Sequence, residues 1–143
     1  MKKHLIIILL LPIVFCMSCN KEKKQASLQE RLFEEVILNK DMVVSYAIDH
    51  GTELTADYKG FTFILTKTDY YHGPLTAKKN GMTYQGSWSA NDDYGKLTIT
   101  LPDAPKELKF LSRAWRFKSK SLKIIKLAPW GAGDDIIVHM TKE

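Results

Sequence analysis

The feature that most constrains this chain is a change of hydrophobic period at Met42. From there to the C-terminus, apolar residues recur at every second position, in short runs separated by turn residues. A period of two belongs to a half-buried β-strand, whose successive side chains point to opposite faces. Eight runs are legible: Met42 to Ile48, Phe61 to Thr66, Leu75 to Lys79, Met82 to Ser89, Lys96 to Leu101, Arg113 to Lys118, Leu122 to Leu127 and Ile136 to Met140. Asn80-Gly81 between two of them is a strong hairpin signal, because a type I′ turn needs positive φ at both central positions.

Turn chemistry punctuates the rest, at 49–51, 57–60, 91–95, 102–105 and 131–135. Most of these connections are too short for crossover helices, so neighbouring strands should pair antiparallel. Eight antiparallel strands lose their exposed edges by closing into an up-and-down barrel, with a two-sheet β-sandwich as the alternative. Ahead of the strands, residues 27–38 follow the helical period, with Leu28, Leu32, Val36 and Phe33 toward one face. Ser27 and Glu30 have the spacing of a capping box, and Asn39 suits the C-terminal turn. Such a helix packs on the barrel or closes one of its ends.

The N-terminus carries an address. Met1-Lys2-Lys3-His4 is cationic, and Leu5 to Val14 is apolar apart from Pro12. These are the n- and h-regions of a secretory signal, and the run is shorter than the roughly 20 residues of a membrane span. Ser18-Cys19 then resembles a lipobox, in which cleavage before a diacylglyceryl-cysteine leaves Cys19 as the first mature residue. Cys16 and Met17 depart from the usual lipobox residues, and looser lipoboxes of this kind resemble those of Bacteroidota. Cleavage would leave one thiol, so no intrachain disulfide is expected. The expected organisation is a lipoprotein signal peptide over 1–18, a lipidated polar tether over 19–26 and one domain over 27–143. Lys21-Glu22 resembles the charged signals that send some of these lipoproteins to the cell surface. The expected location is the cell envelope, on the outer membrane, at its periplasmic face or the surface.

Gly60-Phe61-Thr62-Phe63, Gly86-Ser87-Trp88, Gly95-Lys96-Leu97-Thr98-Ile99, Leu108 and Leu111 before Ala114-Trp115, and Leu122-Lys123-Ile124 follow one another in a recurring order. That order resembles the small lipocalin-like lipoproteins of Bacteroidota, over about residues 40–143. The resemblance implies an all-β, eight-stranded lipocalin-like barrel. Those proteins often carry Trp in the first strand, where Met42 or Val43 stands here. Gly86-Ser87-Trp88 lies mid-chain and is not the Gly-x-Trp that opens true lipocalins, so no ligand-binding role passes through it.

Catalytic chemistry finds little purchase. His50 and His72 fall in or beside turns, and His139 alternates with Val138 and Met140 and should face outward. Zinc needs three or four convergent ligands, and Asn91-Asp92-Asp93 and Asp134-Asp135 lack the spacing of an EF-hand. No Gly-x-Ser-x-Gly elbow is present, and Glu53 and Asp57 are the only acids expected near the barrel rim. No enzyme activity, cofactor or metal is expected. The chain carries 21 Lys and Arg against 16 Asp and Glu, too mild an excess for a nucleic-acid binder.

Two groups of residues are candidates for binding. Phe61, Phe63, Trp88, Trp115, Phe117 and the loop residue Trp130 either fill the barrel or line an apolar cavity, since eight strands enclose just enough room for side chains or one small ligand. Between 106 and 126 stand eight basic residues against Glu107 alone. Among them Arg113, Arg116, Lys118 and Lys123 form a basic face, which is either solvated edge protection or a patch for an anionic glycan or envelope protein. The expected function is non-enzymatic binding of a small apolar or amphipathic ligand at the envelope, with docking through the basic face as the alternative. Cys19→Ser should leave a folded but unprocessed or unanchored protein, to be checked by membrane fractionation and labelled-fatty-acid incorporation.

Overall fold

The computed structural model describes residues 27–143; the signal peptide, Cys19 and the tether expected over 1–26 lie outside the described residues. The elements run α1 (Leu28–Val36), β1 (Met42–Asp49), β2 (Thr52–Glu53), a 3-10 turn (Thr55–Tyr58), β3 (Thr62–Leu65), β4 (His72–Lys79), β5 (Met82–Ala90), β6 (Lys96–Thr100), α2 (Lys106–Leu111), β7 (Ala114–Lys120), β8 (Ile124–Pro129) and β9 (Ile136–Lys142). From β3 to β9 each strand pairs antiparallel with the next, and β1 pairs with both β3 and β9. Eight strands therefore close into an up-and-down barrel, which excludes the sandwich. The two residues of β2 only flank the end of β1, at Ile48 and Asp49.

Closure is uneven around the circumference. β1 meets β9 over a ladder from Met42↔Lys142 to Asp49↔Ile136, shifted once at Val44/Tyr46. It meets β3 only at Met42↔Phe63. The chain just before β1 completes that seam: Leu38 bridges Leu65 in parallel, and the Asn39 amide donates to the Leu65 carbonyl at 2.8 Å. Asn39 takes φ of 56° to turn from helix into strand.

Local sequence explains the hairpins. Asn80 and Gly81 have φ of 51° and 77°, as a type I′ turn demands, and β4 and β5 pair without a break from Lys79↔Met82 to His72↔Ser89. Gly86 has a different reason to be glycine. A Cβ there would stand 2.2 Å from the Thr100 carbonyl oxygen, so β5 and β6 can approach only without a side chain.

Because strands alternate in direction, the connections fall at two ends. Residues 39–41, 66–71, 91–95 and 121–123 lie at the end where α1 sits. The 3-10 turn, α2 and the β4–β5 and β8–β9 connections lie at the opposite end. The 3-10 turn and α2 were not legible as elements in the sequence. The i, i+3 pair Leu108 and Leu111, both buried, is the signal that α2 offered.

The helix α1 falls on its expected residues, and its N-cap forms, with the Ser27 hydroxyl oxygen accepting from the Glu30 amide at 3.1 Å. Its buried face differs from the expectation. Phe33, Val36 and Ile37 are buried, while Leu28 is 68% exposed and Leu32 36%. The reason is a single anchor. Phe33 is fully buried and packs on Trp88, Tyr94 and Phe117 with centroid distances of 5.1, 5.0 and 6.1 Å. A large ring seated in the barrel end sets the rotation of the helix, and Leu28 turns outward with it. Lys67 then bonds Glu34 and lies 3.6 Å from the largely buried Glu30, which ties the helix to the β3–β4 connection. Phe33→Ala should cost about 3–5 kcal/mol of stability, the usual price of removing a buried ring, whereas Leu32→Ala should change little. Chemical denaturation of both variants measures the contrast.

Candidate functional site

The barrel interior is filled by its own side chains. Phe63 and Trp88 are 1% exposed and Trp115 is fully buried, so no water-sized space opens beside them. Phe61 is buried as well and stacks on Phe63 at 5.9 Å, and Phe117 is half-buried at the edge of Phe33. Both buried indoles have a partner: Trp88 Nε1 donates to the Thr66 carbonyl at 2.7 Å, and Trp115 Nε1 to the Leu111 carbonyl at 2.9 Å. Among the described residues no buried side-chain nitrogen or oxygen lacks a hydrogen bond. Five of the six aromatics singled out from the sequence thus belong to core packing. The sixth, Trp130, is 47% exposed in the β8–β9 connection, where the Lys96 ammonium lies 5.4 Å from its ring.

The basic face is dispersed. The Arg113 guanidinium is half-buried over the Phe110 and Trp115 rings at 4.7 and 5.4 Å, and its Nε donates to the Phe110 carbonyl. Arg116 and Lys118 do share one outer face of β7, as their alternation required. Both are ion-paired to Asp134, whose carboxyl is held below its usual range by Lys118 first and Arg116 second. Lys123 lies at the α1 end of the barrel, away from Arg113. These four residues therefore do not form one free electropositive patch.

Histidines and acids are likewise scattered. His50 pairs with Asp49 at 2.6 Å, and His72 with Asp69 at 2.7 Å. His139 leans on Tyr46, with ring centroids 5.1 Å apart, and burial followed by the Lys126 charge lowers its pKa. No group of three or more His, Cys, Asp or Glu able to hold a metal occurs among the described residues.

Concave surfaces among the described residues include one at each end of the barrel. The first is a partly enclosed cavity of 440 Å³ at the end opposite α1, lined by Asp49, Thr52, Leu54, Asp57, Tyr58, Lys106, Glu107 and Phe110. The 3-10 turn forms one side and α2 the other. Tyr58 joins them, its hydroxyl donating to the Glu107 carbonyl at 2.7 Å and its ring lying 6.4 Å from Phe110. Burial, and then the Asp57 carboxylate, raises the Tyr58 pKa well above the phenol range. Of these acids the sequence pointed only to Asp57, because Glu107 lies between the turn at 102–105 and the strand from Arg113, in a stretch whose local pattern assigns no element. The second surface is a groove of 620 Å³ between α1 and the β7–β8 hairpin, lined by Leu32, Val36, Lys120, Ser121, Leu122, Lys123 and Ile124.

No family model matches this sequence, and no curated protein matches it. Among solved structures the chain is similar to a DUF4847 family protein from Bacteroides vulgatus, with a TM-score of 0.54. The two share 17% identity over 76% of this chain and 95% of that one. What they share is the fold.

A pH response follows from the buried phenols. Burial, then the Glu30 carboxylate, pushes Tyr94 up to about 12. A raised tyrosine pKa favours the neutral form in the folded state. Its contribution is therefore whole below the unfolded value near 10 and declines as pH climbs from there through the folded value. Denaturation midpoints should hold steady at neutral pH and fall above pH ~10. Tyr94→Phe should lessen that alkaline slope.

Proposed function

We propose that this chain is a lipid-anchored protein of the outer membrane whose domain binds a small amphipathic ligand without catalysing a reaction. The observation that carries the binding reading is the 440 Å³ cavity between the 3-10 turn and α2. Its size falls within the range of small-molecule sites, about 300–1,000 Å³, and its lining is mainly polar and charged with one apolar wall. Leu54 and Phe110 supply the apolar wall, while Asp49, Asp57 and Glu107 outnumber Lys106 among the charges. A ligand with an apolar body and a cationic or hydroxyl-bearing head fits this lining. Because the barrel interior is filled, this reading seats the ligand at the barrel end in place of the interior.

The anchor reading rests on the signal sequence and Cys19, and the fold is compatible with it. α1 follows the expected tether directly, and the cavity lies at the far end of the barrel. A lipidated Cys19 would thus hold the protein at the end that leaves the cavity open to solution. Docking through the basic face has weaker support, because Asp134 engages both Arg116 and Lys118 and offsets one of their two charges.

Native mass spectrometry of the protein purified from its own membrane tests the reading. A retained small molecule that is lost from Asp57→Lys and Phe110→Ala supports it. Added back at 100-fold its Kd, the same molecule should raise stability by about 2.7 kcal/mol. Retention unaffected by both substitutions, or an empty chain whose cavity amides do not shift with amphipathic amines or polyols, would overturn it.

A further inference from the structure

The end of the barrel nearest the tether carries apolar surface that the domain itself does not cover. Leu28 and Leu32, four residues apart on α1, are 68% and 36% exposed, and Leu122 in the β7–β8 turn is 64% exposed. Val36 and Ile124 line the groove that runs between the helix and the hairpin. Contiguous apolar surface rimmed by polar residues marks a protein or membrane contact.

Several observations choose the bilayer. Residues 20–26, Asn-Lys-Glu-Lys-Lys-Gln-Ala, hold no large apolar side chain, so the tether cannot fill the groove. The same tether limits the distance to the membrane, since Cys19 and Ser27 can lie at most about 29 Å apart in an extended chain. Ser27 caps the helix that forms one wall of the groove. The charge around the apolar face is also net positive. Lys67 offsets one of the two carboxylates of Glu30 and Glu34, and Arg31 offsets Glu35 at i, i+4 spacing, so the helix side keeps one negative charge. Against it stand Lys120 and Lys123 on the rim, exposed Lys126 farther along β8, and Lys21, Lys23 and Lys24 in the tether with Glu22. Lys120 is partly committed, its ammonium donating to the Tyr94 carbonyl at 2.7 Å. Lysines beside an apolar face are the pattern that anionic lipid attracts.

We propose that this groove is a membrane-contact face, with Leu28, Leu32 and Leu122 entering the headgroup region of an anionic phospholipid surface. The contact orients the barrel and points the acidic cavity away from the bilayer. It rests on the anchored reading for its delivery to the membrane, since three leucines and a few lysines make a weak contact on their own. The lipid on Cys19 confines the protein, and the face sets its attitude.

Single-cysteine variants of the full chain, processed in a lipoprotein-producing bacterium, test the face. They are reconstituted in vesicles of phosphatidylethanolamine and phosphatidylglycerol and treated with a membrane-impermeant thiol reagent. Leu32→Cys and Leu122→Cys should react about tenfold more slowly than Met82→Cys, which is 54% exposed at the opposite end of the barrel. Adding Lys123→Glu and Lys126→Glu to Leu122→Cys should restore most of the reactivity. Equal rates at positions 32, 122 and 82 would overturn the proposal. So would Leu122→Cys dimers that form equally in vesicles and in detergent, because a second copy of the chain would then cover the face. The parent chain reports on the anchor separately: labelling at Cys19 means that no lipid blocks it. In that event the mature chain from residue 19 with Cys19→Ser and Leu122→Cys, mixed in solution with the same vesicles, still decides the matter by gaining protection or not.

Discussion

The ladder between β1 and β9 is the constraint on which the rest of the molecule depends. It joins the first strand to the last, and without it the sheet would have two open edges. Because it closes a ring of eight, it also fixes the interior volume. Eight strands leave space for side chains and little else, and Trp88, Trp115, Phe63 and Leu127 occupy that space. The opposing seam, between β1 and β3, has one paired position and leans on Leu38 and Asn39 for completion. The segment linking α1 to the barrel is therefore part of the wall, and helix and barrel are bound into one cooperative unit.

A filled barrel displaces function to its ends. At one end Phe33 closes the opening and rotates its helix so that two leucines face out. At the other, the 3-10 turn and α2 are held together through Tyr58 and leave a cavity between them. Each end is built from elements outside the strand ladder, α1 ahead of it and the 3-10 turn and α2 between its strands, so the strands supply the frame and these elements supply the surfaces. The polarity is set by connectivity. An up-and-down barrel sends alternate connections to opposite ends, and the helix that follows the tether falls at the end away from the cavity.

Electrostatics sharpen this division. On the outer face of β7, Arg116 and Lys118 converge on one carboxylate, Asp134, and stitch the β8–β9 connection to the wall. Their charge is thereby used within the domain. The cavity end gathers Asp49, Asp57 and Glu107, and the tether end keeps lysines beside exposed leucines. The cavity lining is acidic and amphipathic, the groove is apolar with lysines on its rim, and two such surfaces suit different neighbours.

Local sequence was enough for the eight barrel strands, the hairpin at Asn80-Gly81, the antiparallel connectivity and the capped helix. Each of these depends on period, on turn stereochemistry or on a side chain bonding a backbone three residues away, and all are local. It also pointed to Trp130 as a loop residue and to the outward alternation of Arg116 and Lys118. Only the tertiary structure decided that the barrel is full, that α1 turns Phe33 inward in place of Leu28 and Leu32, and that Asp134 lies against β7. It alone brought Glu107 from α2 beside Asp57 from the 3-10 turn. These outcomes depend on contacts between residues far apart in the chain, where packing volume outweighs local periodicity. A helical face with several apolar positions has more than one workable rotation, and the pocket awaiting the largest ring made the choice.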